Sequence, residues 1–99
     1  MEFEWDENKN IENIKRRGIS FEKAVKAFDD DLAIPLEDVE HSHENETRYA
    51  LIGMCQAAGL IFISFTFRGE NCRIISARKA SKKMERMYAD NDRKRGKLI

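Results

Sequence analysis

The spacing of apolar residues is helical in the first part of the chain and alternating in its middle. Residues 2–5 alternate, which predicts a short first strand. Asp6 is a suitable N-cap for a first helix that carries Ile11 and Ile14 on one face and ends near Gly18. We therefore expect the chain to open with a strand that leads directly into a helix.

A second and a last helix are predicted from their caps and their spacing. Ser20 caps the second helix, whose apolar residues follow the i, i+3, i+4, i+7 pattern at Phe21, Ala24, Val25 and Phe28. The aspartates at 29–31 end this helix, because carboxylates are unfavourable at a helix C-terminus. Ser81 caps the last helix, whose buried stripe consists of Met84, Met87 and Tyr88. Residues 90–99 are expected to follow it as a frayed basic tail.

Strands are predicted between these helices. A segment at 32–36 contains Pro35, which fits an edge strand or an extended link, and residues 38–46 form a polar loop. Alternation then predicts three strands joined by tight turns, at residues 48–56, 60–67 and 72–77. The expected fold is α+β: a small antiparallel β-sheet (a meander) with the N-terminal helices packed on one face and a C-terminal helix. A single domain is expected to cover residues 1–99.

The facing of the strands depends on the turn between the last two. A turn of two or four residues pairs Phe67 with Cys72 and Phe65 with Ile74. The helices would then cover an apolar face formed by Ile61, Ile63, Phe65, Phe67 and Ile74. The expected core between the second helix and the sheet includes Phe28, Ile63 and Phe65. The other face would be open and would carry Ser64, Thr66, Arg68, Arg73 and Ile75. A turn of three residues would reverse the two faces.

The charge is divided between the two halves of the chain, although it sums to zero. Residues 1–46 hold 14 acidic and 6 basic side chains, whereas residues 47–99 hold 4 acidic and 12 basic ones. Such a division points to an anionic partner for the basic half, typically nucleic acid or an acidic protein surface. The alternative is that the two halves pair with each other inside one fold.

The cysteines and the distribution of apolar residues narrow the class of protein. Cys55 and Cys72 show no CxxC spacing, which supports neither a disulfide scaffold nor a zinc site and favours a reducing cytoplasm. The N-terminus has no signal-like basic and apolar regions, and the chain has no run of eighteen apolar residues. We expect a cytoplasmic protein with no membrane partner and no cofactor.

Three segments carry a resemblance to a known family: FEWDENKNIENIKRRGISFEKAVKAF, HSHENETRYALIG and RGENCRIISARKASKKMERMY. Together they cover nearly the whole chain, and they resemble the BrnT-type toxins of bacterial type II toxin–antitoxin systems. The resemblance implies a RelE-like ribonuclease fold, an RNA substrate and a BrnA-like antitoxin. The antitoxin would contact operator DNA, and the two proteins would form a two-fold complex. This sequence departs at Arg16 and Arg17, where many relatives have a Lys-His pair.

The resemblance implies metal-independent RNA cleavage, which needs cations to stabilise the charge at phosphorus. Arg68 and Arg78 are the candidates for this catalytic role, with Arg73 and Lys79 as RNA-binding residues. Guanidinium groups suit this task because they make forked contacts to phosphate. Arg78 and Lys79 lie at the end of a strand, and their facing is left open.

The acid and base are assigned to two further candidates. His41 lies in the polar loop, and an imidazole side chain can serve either role. Glu70 lies in the turn close to Arg68 and could be a base. Trp5 could stack on an RNA base, although a single tryptophan beside a short strand commonly belongs to the core.

Two other classes of function remain open at this point. The same basic face would serve a non-catalytic RNA- or protein-binding module, which sequence alone does not distinguish from a nuclease. A DNA-binding repressor is less well supported, because the helix pair around Gly18 is acidic and does not read as a helix-turn-helix.

Overall fold

Five strands form one sheet in the computed structural model, which describes residues 1–96 and the side chains of residues 1–94. They are β1 (Phe3–Trp5), β2 (Ile34–Glu37), β3 (Tyr49–Cys55), β4 (Gly59–Arg68) and β5 (Asn71–Lys79). The spatial order is β1-β5-β4-β3-β2. Neighbours from β2 to β5 run antiparallel, whereas β1 runs parallel to β5. The sheet is therefore mixed, and the expectation of a wholly antiparallel sheet is wrong. The difference arises because β1 leads straight into a helix that packs against β5.

The helices are α1 (Glu7–Arg17), α2 (Phe21–Ala24) and α3 (Lys82–Gly96). A 3-10 helix at Val25–Asp29 continues α2, and a short one lies at Val39–His41. The predicted caps are confirmed, since Asp6 accepts from the Asn8 N–H at 2.8 Å and Ser81 accepts from the Met84 N–H at 3.2 Å. Ser20 likewise accepts from the Lys23 N–H, at 3.3 Å. Each hydroxyl or carboxylate satisfies a backbone donor that the first helical turn leaves free.

Helix α3 extends further than its sequence predicts. The tail predicted at 90–99 is wrong for residues 90–96, which are helical, and residues 97–99 lie outside the described part of the chain. The Asn91 side-chain amide donates to the Leu32 carbonyl at 2.8 Å, and the Tyr88 hydroxyl donates to Asp30 at 2.7 Å. These bonds hold the middle of α3 to the segment before β2. They also place α3 beside β3, where Ile52 is fully buried on the face opposite to α1 and α2.

The main core lies between the sheet and the α1–α2 side. Its members from the strands include Ile61, Ile63 and Phe65, which are 0%, 0% and 5% exposed, so the predicted burial of the latter two is confirmed. Phe28 is half-buried and lies between two aromatic rings, 5.0 Å from that of Phe3 and 5.1 Å from that of Phe65. These contacts join β1, the 3-10 helix after α2 and β4 in one apolar layer.

Helix α1 packs through asparagines. Ile11 and Ile14, the predicted apolar face, are 45% and 44% exposed, while Asn10 and Asn13 are buried. The Asn13 amide donates to the carbonyls of Ile19 (2.8 Å) and Ala77 (3.0 Å), and its oxygen accepts from the Ala77 N–H at 3.2 Å. The side of α1 that faces β5 is thus polar and fully hydrogen-bonded, which hydrophobic periodicity does not reveal.

The predicted strand register is confirmed: Phe67 pairs with Cys72, and Phe65 pairs with Ile74. The register then shifts, because Ser64 pairs with Ser76 and leaves Ile75 as the extra residue of a β-bulge. From the bulge onwards the facing of β5 is reversed relative to simple alternation.

Candidate active site

Two adjoining clefts lie on the face of the sheet opposite to α2, which we call the open face, and the first turn of α1 reaches the second cleft through Lys9. The first cleft has a volume of about 520 Å³ and lies between the β2–β3 connection and strands β3 to β5. Its polar and charged lining consists of Glu37, Asp38, Glu40, His41, Arg48, Ser64, Ser76 and Arg78, so that three carboxylates accompany the two arginines. It brings together two residues predicted from the sequence, His41 and Arg78, with one that was not predicted, Arg48.

Arg78 reaches the first cleft because of the bulge. Without the extra residue at Ile75, alternation along β5 would place Arg78 on the core side with Ile74. With the bulge, Arg78 pairs with Phe62 of β4, and the guanidinium carbon of Arg78 lies 4.9 Å from the centre of the Phe62 ring. This cation–π contact supports the side chain while leaving the forked N–H groups available to an anion.

His41 is oriented by a carboxylate. Its Nδ1 lies 2.8 Å from Oδ2 of Asp38, three residues earlier in the chain. An ionised carboxylate only accepts hydrogen bonds, so Nδ1 carries the proton and donates it. The second ring nitrogen, Nε2, takes no part in this contact with Asp38. An exposed imidazole fixed in this way can take up or release a proton at Nε2.

The second cleft, of about 250 Å³, contains the other predicted arginines, Arg68 and Arg73. It is completed by Asp6, Lys9, Glu46, Arg48, Ile74 and Ile75. Arg73 donates to Glu4 of β1 at 2.9 Å. Hydrogen bonds from Asn71 and Arg73 lower the pKa of the Glu4 carboxyl, and the nearby charges of Arg73 and Arg68 add to this. Glu4 is thus ionised and neutralises part of the positive charge at this cleft.

Arg48 links the two clefts, since it lines both. Its Nε lies 3.6 Å from Oε1 of Glu46, within ion-pair range but too long for a hydrogen bond. Among the described residues, this buried Nε has no hydrogen-bond partner. A buried donor without a partner is costly. The sequence offers one signal for Arg48: it precedes β3 on the alternation opposite to Tyr49 and Leu51, which face the core.

Three predicted site residues line neither cleft: Glu70, Lys79 and Trp5. Glu70 is exposed at the tip of the β4–β5 turn, and Lys79 is exposed opposite Ile61 at the far end of the same pair of strands. The Trp5 ring packs edge-on against Phe21 at 6.0 Å, and its Nε1 donates to Glu7. Trp5 therefore occupies the core side of β1, away from the arginines.

The arrangement combines fixed positive charge with one oriented proton-transfer group. Arginines suit a phosphodiester, and the Asp38–His41 pair supplies acid or base chemistry beside it. Both cysteines are free and buried, and burial raises the pKa of Cys72 to about 11, so its thiol is a poor nucleophile.

Two other features are absent from the described part of the chain. Among residues 1–94, no three His, Cys, Asp or Glu side chains are grouped so that they could hold a metal ion. No helix within residues 1–96 has the length and apolarity needed to cross a membrane.

Comparison with known proteins identifies relatives of this chain. Residues 5–83 match the family model described as ribonuclease toxin, BrnT, of type II toxin–antitoxin system. The 1.1 Å crystal structure of the Brucella abortus ribonuclease toxin BrnT is similar to this chain, with a TM-score of 0.64 and 27% sequence identity. That similarity covers 83% of this chain and 99% of the Brucella chain. No curated protein sequence matches significantly.

Proposed function

This chain belongs to the BrnT family of ribonuclease toxins of type II toxin–antitoxin systems, and we propose that it stops growth by cleaving RNA, without a metal ion, at the two clefts of the open face. One observation carries the proposal: four arginines, at positions 48, 68, 73 and 78, and the Asp38–His41 pair converge on one side of the sheet. That surface offers the positive charge that metal ions supply in other nucleases.

The reaction begins when the ribose 2′-hydroxyl attacks the adjacent phosphorus. The O2′–P bond forms, the P–O5′ bond breaks, and the strand is left with a 2′,3′-cyclic phosphate and a 5′-hydroxyl. A base takes the 2′ proton, an acid gives a proton to O5′, and cations stabilise the negative charge that builds up on the phosphate oxygens.

The first cleft provides these roles. Arg78 and Arg48 bind the phosphate that reacts, because they flank the cleft that also contains His41. His41 Nε2 takes the proton from the 2′-hydroxyl and then gives it to O5′, while Asp38 holds the imidazole in the required tautomer and stabilises its protonated form. Arg68 and Arg73 then bind a neighbouring phosphate in the second cleft. The roles predicted for Glu70, Lys79 and Trp5 are secondary in this scheme, since these residues line neither cleft.

The antitoxin partner is proposed to be BrnA-like and to cover the open face. An acidic or sheet-extending segment would desolvate the arginines and strengthen their ion pairs. We further propose a two-fold toxin–antitoxin complex, in the cytoplasm, that reaches operator DNA only through the antitoxin. The RelE-like relationship of the fold belongs to the same proposal.

The test is an RNA-cleavage assay with the purified chain. We expect cleavage in excess EDTA, fragments that end in a 2′,3′-cyclic phosphate, and inhibition by the protein encoded next to the toxin gene. A requirement for added Mg²⁺ would contradict the metal-independent mechanism. RNA that is bound but stays intact at high protein concentration would favour the non-catalytic binding module instead.

A further inference from the structure

An aromatic recess lies at the end of the sheet next to the second cleft. Its volume is about 340 Å³, and it is lined by Asn45, Glu46, Thr47, Tyr49, Thr66, Phe67 and Arg68. Tyr49 and Phe67 come from the helix-covered side of the sheet, whereas Thr66 and Arg68 alternate to the open side. The recess therefore lies where the strands end and both faces can be reached. Glu46 and Arg68 belong to the second cleft as well, so the two spaces are continuous.

Phe67 supplies the exposed aromatic surface of this recess. Among residues 1–94, it is the one aromatic side chain classed as exposed, at 49%. Alternation along the strand predicts that the helices cover Phe67, and its exposure shows that this prediction is wrong. Its position in the register is confirmed, but it lies beyond Phe65, against which the Phe28 ring of the helical layer packs. Its surface is consequently left to solvent, although hydrophobic burial would favour covering it.

The Phe67 ring is held rigidly in spite of its exposure. It packs edge-to-face against Tyr49 at 5.4 Å and against Phe65 at 5.7 Å. Tyr49 in turn stacks on Phe65 at 5.8 Å. A ring fixed by two neighbours forms a stable platform, because little side-chain entropy is lost when a ligand stacks on it.

We infer that the aromatic recess binds one unpaired nucleobase of the RNA substrate, stacked on Phe67, while Arg68 holds the adjoining phosphate. This inference rests on the proposed function and extends it by naming a base subsite. It makes single-stranded RNA the substrate class, since a base within a duplex is stacked on its neighbours and cannot occupy the recess.

The lining favours a nucleotide over a peptide side chain. A wholly apolar pocket would suit a hydrophobic residue of a partner protein, but Asn45, Thr47 and Glu46 surround this ring with hydrogen-bonding groups. Nucleobases need both a flat apolar contact and polar partners at their edges. The adjoining Arg68 supplies the charge complement of the phosphate that accompanies every base.

The binding experiment uses a short single-stranded RNA that carries 2-aminopurine and 2′-O-methyl riboses. The missing 2′-hydroxyl prevents cleavage, so binding is measured independently of catalysis. Stacking quenches 2-aminopurine fluorescence, and we expect quenching with the parent chain. Phe67→Ala should lose the quenching and weaken binding roughly tenfold or more, whereas Phe67→Tyr should keep both, because it retains the ring. Met54→Ala is the matched control, since Met54 is a 44% exposed apolar residue at the other end of β3.

The outcomes separate the two proposals. Equal affinity and equal quenching in the parent chain and Phe67→Ala would overturn the base subsite, even if ordinary RNA were cleaved normally. Quenching lost in Phe67→Ala would support the subsite, even if the parent chain cleaved no RNA and the nuclease proposal failed. If Phe67→Ala reduced capture of the antitoxin but not RNA binding, the recess would belong to a protein interface and the inference would be wrong. Melting temperatures of the variants show that each one is folded.

Discussion

At the scale of single residues, the position of each arginine decides what it can do. Arg73 is tied to Glu4 at 2.9 Å, whereas Arg78 rests on the Phe62 ring, and Arg48 has a buried Nε without a hydrogen-bond partner among the described residues. An arginine already paired with a carboxylate has less to offer a phosphate. Arg78 is therefore better suited to stabilise a developing charge than Arg73, and so to a smaller degree is Arg48, whose ion pair with Glu46 is longer, at 3.6 Å.

We expect Arg48→Ala and Arg78→Ala each to lower the rate of RNA cleavage by about 100-fold, as loss of a single charge-stabilising donor does in other enzymes. Neither change should alter the free energy of unfolding by more than about 1 kcal/mol, because partly exposed charges contribute little to stability. The measurements are single-turnover cleavage rates and urea unfolding. Arg86→Ala, on the exposed side of α3, is the control that should keep full activity. A double variant of positions 48 and 78 that is folded and fully active would refute the assignment.

At the scale of secondary-structure elements, α1 is held by hydrogen bonds. Asn13 satisfies the Ala77 N–H and two carbonyls, while the apolar Ile14 beside it faces solvent. We predict that Asn13→Ala lowers the free energy of unfolding by roughly 2–4 kcal/mol, because it leaves buried backbone groups without partners. Ile14→Ala should cost less than about 1 kcal/mol, in contrast to the usual order for apolar and polar truncations. Urea denaturation of both variants provides the measurement, and a larger loss for Ile14→Ala would contradict this packing.

The contact between α3 and the segment before β2 is sensitive to acid. Partial burial acts to raise the pKa of Asp30, but hydrogen bonds from the N–H groups of Met54 and Leu32 and from the Tyr88 hydroxyl outweigh it. The pKa consequently lies below its ordinary value of 3.8. The ionised form is the one that the fold favours, so its stabilising contribution is present above 3.8 and is lost as the pH falls through the lowered folded value.

Asp30→Asn should therefore be less stable than the parent chain at pH 7 and should lose less stability between pH 5 and pH 2. Chemical unfolding at a series of pH values measures this difference. Part of the acid sensitivity will remain in the variant, because the pKa of Glu4 is lowered as well. Asp29→Asn, at an exposed position of the preceding 3-10 helix, is the matched control and should show the same loss of stability in acid as the parent chain.

Much of the element order follows from local sequence signals, and the exceptions have physical causes. Asp6, Ser20, Ser81 and Gly18 mark helix ends by chemistry that depends on few neighbours, and all four act as predicted. The parallel pairing of β1 depends instead on the packing of α1 against β5, which involves residues far apart in the chain. The polar face of α1 is invisible to an analysis that takes buried positions to be apolar.

Part of the candidate site can also be predicted from local sequence signals. The turn between β4 and β5 fixed the facing of Arg68 and Arg73, because alternation extends unchanged from that turn. The facing of Arg78 could not be predicted, since it depends on a bulge at Ile75 that carries no glycine or other local marker. The sequence pattern does not identify Arg48, because this residue is remote in sequence from the other arginines and joins them only through the pairing of β3 with β4.

At the scale of the whole molecule, charges from the two halves of the chain meet at the clefts. Arg48 and the arginines of β4 and β5 line them, together with acidic residues of the first half such as Asp38 and Glu46 and with Lys9 of α1. Both readings of the charge pattern thus apply in part: some charges pair internally, and the remainder is available to an anionic ligand. The family membership and the predicted α+β class are confirmed, with the sheet corrected from antiparallel to mixed.

We predict that RNA binding depends on salt in proportion to the phosphates that are contacted. Three phosphate contacts with single-stranded RNA would give a slope of about −2 for log K against log salt concentration, and Arg78→Ala would reduce its magnitude by about 0.7. Titrations of a non-cleavable RNA at several salt concentrations measure the slope. A slope near zero would show that ionic contacts do not govern binding, whereas an unchanged slope in Arg78→Ala would remove that residue from the interface.

The parallel pairing of β1 with β5 has a consequence for biosynthesis. The first strand leaves the ribosome well before its partner, in which Cys72 and Ile74 lie opposite Phe3 and Trp5. Helix α1 also cannot complete its contacts before β5 is made, because the Asn13 side chain donates a hydrogen bond to the Ala77 carbonyl. Long-range pairings of this kind form late, so the clefts that contain Arg73 and Arg78 cannot exist on an incomplete chain. A chain that has not yet been made as far as β5 therefore lacks the clefts at which we propose that RNA is cleaved.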